Sequence, residues 1–442
     1  MSTPDQLPSK KQFAFLSTKR FFPLFGTQFF GALNDNLFKT TLFVLISFYG
    51  LGANPWIPSS QMLNIGALLF ILPFFLFSAL SGEICNKFDK AIVARWIKVA
   101  EIGIMIIAVI GFLHHSLSLL LLSLFLMGTH STLFGPLKYS ILPEYLERHE
   151  LLSGNSLIES GTFLAILLGQ ILGTMLAATH IYLLATILLI IALSGLFSSM
   201  FMPRVQAQFP RQYIQPNIAR STLQLLKETS KQKNIWMAIM GISWFWFLGS
   251  IYITQLPTFT RINLGGNDQV FNLMLTLFSV GIGTGSIACA RLSKHKLHLS
   301  LVVIGSIGMS IFGLLLVVLT NGAHFVHADN ISVFLARNNA FAVIISIIGI
   351  GFFGGFFSLP LYTWLQTASS NDFRSHAIAA NNIINGFFMV LASIISLLII
   401  WLFDGINILY LLVAVGNIPI LFYLCRNREL RIDFMEFILR KH

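Results

Sequence analysis

Apolar runs of about 20 residues, the length that crosses a bilayer as a helix, recur along the chain between short polar stretches. They predict spans over 21–49, 60–83, 91–113, 116–142, 154–178, 180–202, 234–258, 268–291, 297–320, 337–367, 375–401 and 404–425. The first and tenth are longer than a crossing requires, which predicts tilt, a bend or an interfacial extension. The longest polar stretch, 203–233, divides the spans into two equal sets. Its end, Asn217 to Lys227, has the alternation of an amphipathic surface helix, and so has the tail from Arg431 to Arg440.

A weak repeat relates the two sets. Phe134-Gly-Pro-Leu-Lys-Tyr-Ser-Ile-Leu142 resembles Phe357-Ser-Leu-Pro-Leu-Tyr-Thr-Trp-Leu365, and Asn155-Ser-Leu-Ile-Glu159 resembles Asn381-Asn-Ile-Ile-Asn385, in the same order. Two such halves related along the membrane normal describe the major facilitator architecture. The expected fold is therefore an all-α polytopic membrane protein with twelve transmembrane helices in two six-helix halves. The expected organisation is an N-terminal segment 1–20, a first half 21–202, an inter-half loop 203–233, a second half 234–425 and a basic tail 426–442.

Composition removes the soluble alternatives. The 442 residues are 55% hydrophobic and 10% charged, with a mean hydropathy of +0.78, whereas soluble domains carry about 25% charged residues. The net charge of +11 does not indicate nucleic acid, because the bases fall in short loops. One side collects Lys10, Lys11, Lys19 and Arg20, then Lys87, Lys90, Arg95 and Lys98, then Arg148, then the bases from Arg204 to Lys233. It continues with Arg291, Lys294, Lys296 and Arg374, and ends with those from Arg426 to Lys441. The other side has only Arg261 and Arg337. By the positive-inside rule both termini are expected to be cytoplasmic. No small-residue cleavage site follows the polar start, so the first span is expected to be an uncleaved anchor.

Inside this apolar frame a few polar groups stand out. Asn34, Asp35, Asn36 and Lys39 lie in the first span. A charge at a helix centre opposes insertion by roughly 2.5–3.5 kcal/mol, so intramembrane charges mark polar paths or mutual pairs. Asp35 and Lys39 are four apart and can pair on one helix face. Lys138 and Tyr139 follow a helix-kinking proline, where a lysine can meet an anionic group such as phosphate. Asn155 and Glu159 open the fifth span, and Glu159 is a candidate to carry a proton, accept from an amine or pair with Lys138. Glu101 and His130 are weaker candidates, His130 being more readily a hydrogen-bonded structural histidine. The second half contributes neutral groups, Gln255, Gln366, Asn381, Asn382 and Asn385, beside the aromatic run Ser243-Trp-Phe-Trp-Phe247. A charged half facing an apolar, aromatic half suits an amphipathic substrate. Glu83, Asn86, Lys87, Asp89, Lys90 and Arg291 are expected to form gating contacts at the basic face, with Glu83 in an ionic latch. Gly169 with Gly173, and Gly281, Gly283 and Gly285, predict close helix packing.

Cys85, Cys289 and Cys425 are too dispersed for a metal site or disulfide framework. No P-loop, zinc motif or nucleophile elbow is present, so neither an enzyme nor an ATP-driven pump is indicated, and no cofactor or metal is expected. His324-Phe-Val-His-Ala-Asp329 fits an HxxxxD pattern but sits in a short loop that cannot position a catalytic pair.

Gln28-Phe-Phe-Gly-Ala-Leu-Asn-Asp-Asn-Leu-Phe-Lys39 resembles the first helix of bacterial lysophospholipid transporters of the major facilitator superfamily. Gly135-Pro-Leu-Lys-Tyr-Ser-Ile-Leu142, Asn155 to Glu159 and Gly354-Gly-Phe-Phe-Ser-Leu-Pro360 are similar to later motifs of that family. Ser243 to Phe247 is most similar to versions fused to an acyltransferase. The resemblance covers most of the chain. It implies a flippase that moves lysophosphatidylethanolamine-type lipids from the outer to the inner leaflet of the bacterial inner membrane by alternating access. A separate cytoplasmic-side acyltransferase would then be a partner, alongside substrate and membrane lipids. The headgroup would meet Asp35, Lys39, Lys138 and Glu159. The sequence departs from the wider superfamily's loop signature, with Asn86 in place of an aspartate and Asp89 in place of a glycine, and Asn385 stands where the family can carry an acid. Two other readings fit the residues: a proton-coupled exporter of a drug or siderophore using Asp35 or Glu159, and a non-transporting scaffold, against which the buried charges count.

Overall fold

The computed structural model describes residues 13–48, 50–51, 59–177, 179–207, 209–211, 213–215, 217–293, 296–321, 329–403 and 406–439. Lys10, Lys11, Lys294, Arg440, Lys441, His324 and His327 lie outside these residues. The first long helix is α1 (Phe22–Phe48), followed by α2 (Ser59–Lys87), α3 (Lys90–Leu113), α4 (Leu117–Tyr145), α5 (Leu151–Ala177) and α6 (Ile181–Met200). The amphipathic α7 (Ile218–Lys231) precedes α8 (Lys233–Ile262), α9 (Asp268–Leu292) and α10 (Ser300–Thr320). A short α11 (Ile331–Leu335) leads into α12 (Ala340–Ala368), α13 (Arg374–Phe403), α14 (Ile406–Leu424) and the tail helix α15 (Arg428–Leu439). Among the described residues, 11 helices are long and apolar enough to cross a membrane. α1 falls outside that set because Gln28, Asn34, Asp35, Asn36 and Lys39 dilute its apolar stretch.

The chain forms two compact units that do not follow linear order everywhere. One runs to Gly154 and continues over Ala165–Gln232 and Gln366–Gly386; the other comprises Asn155–Leu164, Lys233–Leu365 and Phe387 onward. The two reassigned segments contain the repeat-related motifs Asn155–Glu159 and Asn381–Asn385.

In the first unit α2 packs on α4, α1 on α6, and α3 on both α4 and α6. Gly169 and Gly173 bring α5 against the backbone of α1: an added Cβ would lie 2.7 Å from the Leu33 carbonyl and 2.8 Å from that of Leu37. In the second unit Gly281 and Gly285 do the same against α12, where a Cβ would lie 2.6 Å from the Ile348 carbonyl and 2.0 Å from that of Phe352. Gly283 is different, with nothing nearer than Ser160 at 3.7 Å. The aromatic run of α8 serves helix packing. The Trp244 indole N–H donates to Asn417 Oδ1 at 2.9 Å and that of Trp246 to the Tyr362 hydroxyl at 2.8 Å.

Both expected amphipathic helices form, and their inner faces are fixed by protein contacts. α7 buries Ser221, Leu225 and Thr229 and packs on α2. α15 is capped by Asn427 and packs on α10, whose first backbone amide, Ser300 N–H, donates to Asp433 at 2.7 Å.

Candidate functional site

The most concentrated buried polar group in the first unit joins α1, α3 and α4. Glu101 on α3 is fully buried and accepts from Lys98 Nζ at 2.6 Å and Asn34 Nδ2 at 2.9 Å. His130 Nε2 lies 3.1 Å from the same carboxylate. On its other edge, His130 Nδ1 lies 3.9 Å from Asp35 Oδ1, and Asp35 accepts a short hydrogen bond from the Ser131 hydroxyl. The i,i+3 spacing of Lys98 and Glu101 puts both on the inner face of α3. Gly31 of α1 and Gly195 of α6 leave room for the lysine: an added Cβ would lie 2.5 Å and 3.3 Å from Nζ, respectively. The Phe134 ring covers the ammonium at 5.5 Å. Two carboxylates, one histidine and one ammonium thus meet in a space closed by small residues.

This arrangement revises several expectations. Asp35 and Lys39 form no ion pair with each other among the described residues. Asp35 turns to α4, while Lys39 Nζ sits 4.9 Å above the Phe70 ring of α2. Asn36 donates to the Ala32 carbonyl of its own helix at 2.8 Å and borders the Gly169 contact, so it belongs to α1–α5 packing. Lys98, counted among the loop bases, is fully buried. Lys90 is also buried, in an ion pair with Glu144. Arg95 is spent on the end of α6, donating to the carbonyls of Ser199, Met200 and Met202. The signal for Lys98 and Glu101 was present in their spacing. What concealed it was the closeness of Lys98 to other bases in the chain.

Lys138 lies 4.9 Å above the Tyr139 ring, and the Tyr139 carbonyl accepts from Gln366 Nε2 at 2.9 Å. Asn381 and Asn385 are buried in the same unit. Neither amide atom of Asn381 has a hydrogen-bond partner among the described residues. A buried unsatisfied amide disfavours folding by about 1–3 kcal/mol. The Asn382 amide instead fills the space over Gly135, where a Cβ would lie 2.4 Å from its nitrogen.

In the second unit Glu159 is buried, accepts from Ser286 Oγ at 3.1 Å and makes a shorter bond with the Ser358 hydroxyl. Asn155 Nδ2 donates to Thr363 Oγ1 at 3.1 Å. Thus α5, α9 and α12 carry a polar seam of one carboxylate and several hydroxyls. Gln255 is half-buried on α8.

At the end of α2, Glu83 accepts from the Gln215 backbone N–H at 2.9 Å and the Ser221 hydroxyl at 2.7 Å. Its contacts are hydrogen bonds to the 203–233 segment and α7, which corrects the expected ionic latch. Asn86 donates to the Asp372 carbonyl at 3.0 Å, and its amide lies 3.0 Å from His376 Nδ1. The Ser370 hydroxyl holds the neighbouring Asp372 carboxyl below the usual carboxylate range. Asp89 caps α3 through the Ala91 N–H at 2.8 Å and also accepts from Val205 N–H at 3.3 Å. Lys87 lies 5.7 Å from the Phe88 ring, and Arg291 is exposed.

Comparison with known proteins places these features in context. Residues 24–393 match the family described as Major Facilitator Superfamily. The chain is 26% identical over 381 residues to the lysophospholipid transporter LplT of Pectobacterium carotovorum, covering 84% of each chain. It is 25% identical over 370 residues to LplT of Yersinia pestis, covering 80% of each. Among solved structures, the human organic anion transporter MFSD10 aligns with a TM-score of 0.74 at 15% identity, over 91% of this chain and 99% of that one. The E. coli fucose:proton symporter FucP aligns with a TM-score of 0.66 at 12% identity, over 92% and 97%. At such identities the structural likeness speaks for the fold alone: the chain is an all-α, multi-pass membrane protein with the major facilitator fold.

Proposed function

We propose that this chain, which belongs to the Major Facilitator Superfamily, transports lysophospholipids by alternating access. The observation that carries the reading is the similarity to two lysophospholipid transporters over 80% or more of the chain. It is supported by the buried polar groups that the helices hold within an apolar frame. In this reading Asn34, Asp35, Lys39, Lys138, Tyr139, Asn155, Glu159, Gln255, Asn381 and Asn385 serve the headgroup. A zwitterionic phosphoethanolamine needs both a cation for its phosphate and an acceptor for its amine, and these side chains offer both. The lipid moves from the outer to the inner leaflet of a bacterial cytoplasmic membrane, with both termini cytoplasmic. A separate acyltransferase on that side consumes it. The Glu83, Asn86, Lys87, Asp89, Lys90 and Arg291 contacts act as the gate at that face.

One observation favours a second reading, proton-coupled export of a drug or siderophore. His130 stands between Asp35 and Glu101, a place where a proton can exchange between titratable groups. Vesicles carrying labelled lysophosphatidylethanolamine in the outer leaflet separate the two. Flipping that survives an uncoupler and is lost in Asp35→Ala, with the variant still inserted, supports lipid transport. Absence of flipping together with drug movement driven by a proton gradient would replace it with the second reading.

A further inference from the structure

A groove of about 670 Å³ opens on the first unit between the start of α1 and the end of α6. That volume falls within the roughly 300–1,000 Å³ typical of sites that hold a small-molecule ligand. Its walls are the exposed rings of Phe22, Phe197 and Phe201, the last two edge to face at 5.0 Å. Its floor is formed by small residues. A Cβ at Gly26 would lie 2.4 Å from Ser198 Oγ, so the two helices approach as closely as glycine permits. The floor hydroxyls are turned away: Ser194 donates to the Ile190 carbonyl at 2.8 Å and Ser198 to that of Pro23 at 2.9 Å. The groove therefore presents hydrocarbon although it contains serines. Because α6 is a membrane-crossing segment, its outer surface meets lipid chains and not water.

The mouth has the opposite chemistry. Lys19 lines it, is exposed and forms no ion pair among the described residues. Its neighbour Arg20 is held by Glu150 at 2.6 Å. An exposed cation at the membrane-surface end of an apolar slot is complementary to a molecule with an anionic head and a hydrocarbon chain. We propose that this groove is a binding site for an anionic bilayer phospholipid, with its phosphate at Lys19 and one acyl chain between Phe22 and Phe197. The groove is open along its side, so the second chain stays in the bilayer. The site is separate from the buried Glu101 cluster and does not depend on which molecule is transported.

The test uses the full chain in phosphatidylcholine nanodiscs, with Phe197→Trp as a reporter inside the groove. The signal is the emission of this variant after subtraction of the unmodified protein's. A small fraction of phosphatidylglycerol with brominated acyl chains quenches it more than the same fraction of brominated phosphatidylcholine. Lys19→Gln in the reporter background reduces that preference about fivefold, the equivalent of the ~1 kcal/mol that a lysine contributes at an anionic membrane surface. Ser194→Phe, which fills the slot from a half-buried position, abolishes the excess quenching. Lys19→Gln lies on the surface and keeps the test decisive if Ser194→Phe fails to fold. Equal quenching by the two lipids, or an excess that survives Lys19→Gln, overturns the proposal. So does quenching that arises only after deletion of residues 2–12, which would assign the groove to the chain's own N-terminal segment.

Discussion

Replacing Glu101 with leucine isolates the energetics of the buried cluster. Glu101 and Lys98 are both fully buried and 2.6 Å apart. Removing one member of such a pair destabilises by roughly 3–5 kcal/mol, because the other charge stays buried without compensation. That is a large share of the ~5–15 kcal/mol by which folded proteins exceed their unfolded states. The two single variants should differ. Lys98→Met leaves Glu101 with the Asn34 amide donor at 2.9 Å and the His130 ring 3.1 Å away, so its carboxylate keeps a polar partner. Glu101→Leu leaves the Lys98 ammonium with the Phe134 ring and no other carboxylate within ion-pair distance among the described residues. Glu101→Leu is therefore the more damaging change. The double variant Lys98→Met/Glu101→Leu removes both charges and should recover most of the loss, since apolar replacement of a buried pair is often neutral or stabilising. Equilibrium unfolding in mixed detergent micelles, run as a double-mutant cycle, measures the coupling. The expected coupling is on the order of 3 kcal/mol. Additive single costs would refute the reasoning and show that the two charges reach water or lipid headgroups separately.

Four further outcomes rest on contacts elsewhere. Gly285→Ala forces a Cβ to 2.0 Å from the Phe352 carbonyl and should destabilise by about 1–3 kcal/mol. Gly283→Ala meets only Ser160 at 3.7 Å and should be neutral or slightly stabilising in the same equilibrium-unfolding assay. Asp89→Ala removes the cap of α3 and the bond to Val205, and should lower stability by about 1 kcal/mol. Glu83→Ala frees the Gln215 amide and the Ser221 hydroxyl; hydrogen exchange should accelerate at Gln215 and along α7, and an unchanged rate would show that α7 is held by Leu225 packing alone.

The long apolar runs dictated the helices, because backbone groups inside a bilayer must be satisfied within their own segment. The same logic exposed Asn34 and Asp35, since a polar residue in an apolar run is conspicuous without knowledge of its neighbours. Partnership was not legible in this way. Helical spacing allowed Asp35 to pair with Lys39, yet Ser131 and His130 of α4 take the carboxylate and the Phe70 ring takes the lysine. Lys98 looked like one more loop base because it follows Lys90 and Arg95. Only the packing of α1 and α6 around α3, with Gly31 and Gly195 facing its ammonium, buries it beside Glu101.

Chain order likewise predicted two halves at a single boundary, whereas contacts assign Asn155–Leu164 and Gln366–Gly386 each to the unit on the far side of that boundary. Sequence by itself thus determined the helical, membrane-spanning class and which polar residues stand out within it. Tertiary structure decided which of them meet, because an interhelical contact depends on the rotation and approach of separate helices, and neither is encoded in the periodicity of any one of them.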